Sequence, residues 1–123
     1  MARRKADISD TEMVKSELEH FLDGSLDPAR FDHAAHVRMA KALLAQYDFL
    51  EAAHLYDQAL AVITAKAGQD AKRSLTKTLA FLSLIAETGE APTSDALSQW
   101  YSDARLADPA GRDRFLMPDR FRS

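Results

Sequence analysis

The chain has 123 residues, 46% of them hydrophobic and 28% charged, a length and balance that suit one globular domain with a core sufficient to fold without a metal or disulfide staple. Its formal net charge of −3 argues against nucleic acid as a partner, because phosphate binding calls for a basic face. The lack of cysteine excludes disulfide frameworks, thiolate zinc sites and cysteine nucleophiles, and fits a cytoplasmic protein.

Arg3, Arg4 and Lys5 open the chain but no apolar run follows them, so residues 1–8 are expected to be a flexible terminus and not a signal peptide. No stretch approaches the ~20 apolar residues of a membrane span. Ser9 and Glu12 have capping-box spacing and predict a helix start, with Met13, Val14, Leu18, Phe21 and Leu22 recurring at helical intervals and Gly24 as a left-handed stop. Asp27-Pro28 is a second start signal for a short turn.

Asp32 is placed to cap the next helix, which carries Val37, Ala40, Leu43 and Leu44 and ends near Tyr47 and Asp48. A third helix fits Phe49 to Ala67, stops at Gly68, and has Ala52, Ala53, Tyr56, Ala59, Leu60 and Ile63 as its inner stripe. Residues Glu51 to Leu60 look like one helix of a tetratricopeptide repeat, but no second copy follows at the necessary period.

A fourth helix is expected from about Asp70 to Glu87, with Leu75, Thr78, Leu79, Leu82, Ile85 and Ala86 on one side and Gly89 as its stop. After Pro92, Ser94 is a candidate cap for a fifth helix containing Leu97, Trp100 and Tyr101. Asp108-Pro109 repeats the Asp-Pro start signal, and residues 117–123 should form an extended tail. Strand alternation is absent throughout. The expected fold is all-α: a single domain over 1–123, an antiparallel bundle of about four to six helices joined by short connections.

Three segments bear chemistry. In Phe31 to Val37, His33 shares a helix line with Val37 and Ala40, and His36 shares one with Ala40 and Leu43. Both imidazoles should border the buried side, where they either share a divalent transition metal or hydrogen-bond to caps as structural residues. His20 and His54 are expected at the solvent edge. In Lys72 to Thr78, Arg73, Ser74 and Thr78 lie at a helix start, where basic and hydroxyl groups suit an anion; the competing reading is a solvated first turn with Thr78 in the core. In Trp100 to Leu106, Tyr101 and Arg105 are either an interface anchor or a closure of the bundle.

The ordered set Phe31-x-His33-x-x-His36-x-x-x-Ala40, Gly68, Thr76-x-Thr78 and Tyr101-Ser102-x-x-Arg105-Leu106 resembles a group of small uncharacterised bacterial helical proteins. That group carries a Tyr-His pair where this chain has Arg73-Ser74, and a Trp where it has Phe81. The resemblance implies one pocket around His33, His36 and position 74.

In an up-down bundle the helices that start near Asp32 and Asp70 run parallel, so His33, His36, Arg73 and Ser74 are expected to share one electropositive end. The leading expectation is a non-catalytic binding module for a protein partner or small anionic ligand, with His33, His36, Arg73, Ser74, Thr78, Tyr101 and Arg105 as candidate ligand-binding residues and no cofactor. The alternatives are a metal-dependent enzyme using His33 and His36, and an accessory subunit of a larger complex. Neither nucleic acid nor membrane is expected as a partner, and homo-oligomers remain open.

Overall fold

A computed structural model of the chain describes residues 2–69, 73–90, 92–93 and 95–120, with side chains described from residue 12 onward. Among the described residues the structure is all-α: α1 (Ala2–Asp23), α2 (His33–Gln46), α3 (Phe49–Lys66), α4 (Leu75–Thr88) and the short α5 (Asp103–Ala107), with 3₁₀ turns at Pro28–Arg30, Ala96–Gln99 and Pro109–Arg112. None of these helices is long and apolar enough to cross a membrane.

The local signals placed most boundaries. Asp27, Asp32 and Asp48 each accept a backbone N–H at the head of the following turn or helix, from Ala29, Ala35 and Glu51. Gly24 ends α1 at φ 83°, and Ser25 and Leu26 both donate back to the His20 carbonyl. A Cβ at Gly24 would also stand 3.1 Å from Val62, so the position excludes a side chain twice over. Gly89 closes α4 in the same left-handed way.

Three boundaries differ from expectation. The α1 backbone is already helical from Ala2, so residues 2–8 are helix and Ser9 sits within α1 instead of capping it. The fourth helix begins at Leu75 and not near Asp70, because Ser74 is extended (φ −142°, ψ 121°) and its hydroxyl caps the Lys77 N–H; Asp70, Ala71 and Lys72 lie outside the described residues. The expected fifth helix through Trp100 and Tyr101 is instead a 3₁₀ turn followed, after a break, by α5, which Ser102 caps. The tail forces that break: the Trp100 carbonyl accepts from the Arg120 N–H, and Asp119 takes the Ser102 N–H. The cap expected at Ser94, and residues 121–123 of the tail, fall outside the described residues.

One core joins α1 to α4. Leu18, Phe21, Met39, Leu43, Tyr56, Leu60, Leu82 and Ile85 are buried in it, and the whole expected α3 stripe faces inward. Its alanines let α1 and α2 approach α3 closely. The Lys66 ammonium donates to the Gly24 carbonyl at 2.6 Å, so α1 and α3 end together. Short connections then bring α2 and α4 to start at that same end, which is the up-down arrangement.

Candidate functional site

A cleft of about 470 Å³ opens where the start of α2, the C-terminal half of α3 and the start of α4 converge. It is bounded on its fourth side by the 3₁₀ turn Ala96–Gln99 and by Thr93. His33, His36, Arg73, Ser74 and Thr78 all line it, with apolar walls from Leu60, Phe81, Leu84 and Leu97. Tyr101 and Arg105 do not line it. Tyr101 is buried and donates its hydroxyl to the Leu116 carbonyl, while Arg105 Nε donates to the Met117 carbonyl; both hold the tail against the bundle.

His36 is placed by an aromatic column. Its ring lies tilted against Phe31 with centroids 3.9 Å apart, Phe31 stacks on Phe21 at 5.1 Å, and Phe21 meets Tyr56 at 5.4 Å. The column turns His36 Nδ1 onto the Tyr56 hydroxyl at 2.9 Å. We assign the shared proton to the Tyr56 hydroxyl, which has no other acceptor among the described residues, so that it donates to Nδ1 and the neutral ring carries its proton on Nε2. Burial pushes His36 down to about 4, with the neighbouring His33 adding to the effect and Asp32 opposing it. His36 is therefore an uncharged donor at neutral pH. Burial likewise raises Tyr56 well above the usual phenol range, which keeps it protonated.

His33 stands at the rim, more exposed, with its ring edge-on to Phe81. Its Nε2–H donates to the Pro92 carbonyl at 2.8 Å, which anchors the segment after α4 over the cleft. A carbonyl only accepts, so this bond assigns the Nε2 proton as well. His20 and His54 are exposed, away from the cleft, and His20 bonds to Ser25.

The electropositive end expected here is weaker than the sequence suggests. Arg73 Nη2 bonds Asp57 on α3 at 3.0 Å, with the two side chains only 21% and 20% exposed. Asp57 therefore cancels the Arg73 charge locally. The pair makes a single bond, and Asp57 Oδ1 and Arg73 Nε are buried without partners. Ser74 is committed too: its hydroxyl accepts from the Lys77 N–H and donates to the Gly111 carbonyl at 3.2 Å. Among the described residues Lys77 is the cleft-lining cation with no ion pair. No group of three His, Asp or Glu side chains gathers to hold a metal among the described residues.

The C-terminal segment packs against the start of α4. Thr76 donates its hydroxyl to the Arg114 carbonyl at 2.7 Å and accepts from the Leu116 N–H at 3.0 Å. Gly111 is buried so closely against Thr76 that a Cβ would lie 3.0 Å from the hydroxyl. Among the residues the sequence did not single out are Tyr56 as the partner of His36, Asp57 as the partner of Arg73, and Leu97 as a wall. A tyrosine within an otherwise apolar helix stripe carries a hydroxyl that needs a partner, and that signal was legible. Nothing in the sequence pairs Asp57 with Arg73. No family model, curated protein or solved structure matches the chain.

Proposed function

We propose that the chain is a non-catalytic helical binding module whose cleft takes one small ligand. The observation that carries this is the make-up of the cleft: about 470 Å³ with apolar walls and a few convergent polar groups, which is the constitution of small-molecule sites. Two of the hydroxyls that line it are already engaged, which argues against either as a nucleophile. Ser74 is spent on a helix cap and the Gly111 carbonyl, and Thr64 on the Leu60 and Ala61 carbonyls of its own helix. The resemblance to the small bacterial helical group supports the same location, since its third histidine would fall at Ser74, on this cleft. The cysteine-free composition supports a cytoplasmic setting.

A second reading has one observation in its favour. His33 Nε2–H rests on a backbone carbonyl, the outer-shell contact typical of metal-bound imidazoles, which leaves Nδ1 as a ligand for a divalent transition metal. His36 would then have to move its proton from Nε2 to Nδ1 and take the Tyr56 hydroxyl's acceptor away.

Fluorescence titration with anilinonaphthalene sulfonate tests the binding reading. One saturable site per chain is expected, lost in Leu97→Trp, whose larger side chain fills the cleft from the 3₁₀ wall while the helical circular dichroism is unchanged. Dye binding unaffected by Leu97→Trp would refute it. A zinc titration of the same protein separates the second reading, which requires one tight site lost in His33→Ala.

A further inference from the structure

The charges that line the cleft restrict what it holds. Arg73 spends its charge on Asp57, and His36 is a neutral ring offering an Nε2–H. That leaves Lys77, exposed at the first turn of α4, as the lining cation without an ion pair among the described residues. Facing these groups are Leu60, Phe81, Leu84 and Leu97. Resting on the small-ligand reading above, we infer that the ligand is a monocarboxylate with an apolar body.

A carboxylate carries one charge and two acceptor oxygens, which suits one ammonium beside neutral donors, the His36 Nε2–H among them. A phosphate monoester brings close to two charges at neutral pH and three strong acceptor oxygens. With Arg73 already paired, a single ammonium leaves the second charge uncompensated beside hydrocarbon walls, where an unpaired charge is costly. A neutral alcohol gains the apolar contacts but leaves Lys77 unused. An anion without an apolar body would lie against side chains that offer it nothing.

Titrations of the full chain with hexanoate, hexanol and hexyl phosphate, followed by amide NMR at about pH 8 where the phosphate is a dianion, decide the matter. Hexanoate should shift the resonances of His36, Lys77 and Leu97 and bind about tenfold more tightly than either of the others, the worth of one charge-assisted hydrogen bond. Lys77→Met, a change at an exposed position, should lower hexanoate affinity about tenfold and leave hexanol affinity unchanged. Hexyl phosphate or hexanol binding as tightly as hexanoate overturns the inference, as does hexanoate binding that ignores Lys77→Met or fails to shift these resonances. In each of those cases the saturable dye site, if present and lost in Leu97→Trp, still stands for a small-ligand cleft. Absence of a saturable dye site in the native chain, or a dye site that Leu97→Trp leaves intact, is what brings down the underlying reading.

Discussion

The Tyr56 hydroxyl and His36 Nδ1 lie 2.9 Å apart where α2 packs on α3, and the single proton between them determines which nitrogen His36 offers to the cleft. Tyr56 is almost wholly buried, and His36 is the hydrogen-bond partner of its hydroxyl among the described residues. Tyr56→Phe should therefore cost about 1–2 kcal/mol in urea denaturation, the value of a buried hydrogen bond. It should also release the tautomer lock, seen as mixed Nδ1–H and Nε2–H populations of His36 by nitrogen NMR. A single unchanged tautomer in that variant would show that the hydroxyl does not orient the ring.

The depressed His36 makes stability fall toward acid. An unfolded histidine takes a proton near 6.5, whereas folded His36 resists until about 4. Between those values the unfolded state binds more protons, so stability is full above the upper value and is lost as pH falls through the window. The loss amounts to at most about 3 kcal/mol. His33 and Asp32 are the charged neighbours that act on it, in opposite senses. His36→Gln should flatten the stability profile over that window relative to the native chain, and equal slopes in the two proteins would exclude His36 as the cause.

Arg73 and Asp57 should behave as a coupled pair. Arg73→Ala leaves a largely buried carboxylate without its cation, at a cost of about 2 kcal/mol. Asp57→Asn with Arg73→Gln removes both charges, and its cost should fall short of the sum of the single changes by at least about 1 kcal/mol. Additive costs in denaturant melts would mean that the 3.0 Å contact contributes nothing.

Thr76 holds the C-terminal tail by two bonds through one hydroxyl. Thr76→Val keeps the shape but leaves the Arg114 carbonyl and the Leu116 N–H unpaired, and should destabilise by about 2–3 kcal/mol. Hydrogen exchange should rise first at Leu116 and at Ser102, which the tail also contacts through Asp119. Gly111→Ala is expected to act in the same sense, because its Cβ would press on the same hydroxyl. Unchanged exchange at Leu116 in both variants would show that the tail is held elsewhere.

The boundaries that were legible in the sequence are those set by neighbours in the chain. Asp27 caps a 3₁₀ turn, Asp32 and Asp48 cap α2 and α3, and Gly24, Gly68 and Gly89 take left-handed backbone. The α3 stripe is inward because its spacing admits one apolar face. The shared end of α2 and α4 was legible as well, since short connections force consecutive helices to alternate and so bring His33, His36, Arg73 and Ser74 to one cleft. What the sequence could not decide are contacts whose two halves lie far apart along the chain. The helix expected through Trp100 is broken where Asp119 and Arg120 take its backbone groups, and Ser74, the cap of α4, is also tied to the distant Gly111 carbonyl. The electrostatics of the cleft belong to the same class: only packing puts Asp57 against Arg73 and Tyr56 against His36, and those two contacts convert an end that reads as cationic into one with a paired arginine and a neutral imidazole. Capping and periodicity depend on residues within one turn of each other, whereas charge compensation and proton placement depend on whichever group the fold brings within a few ångströms, and that is a property of the tertiary structure alone.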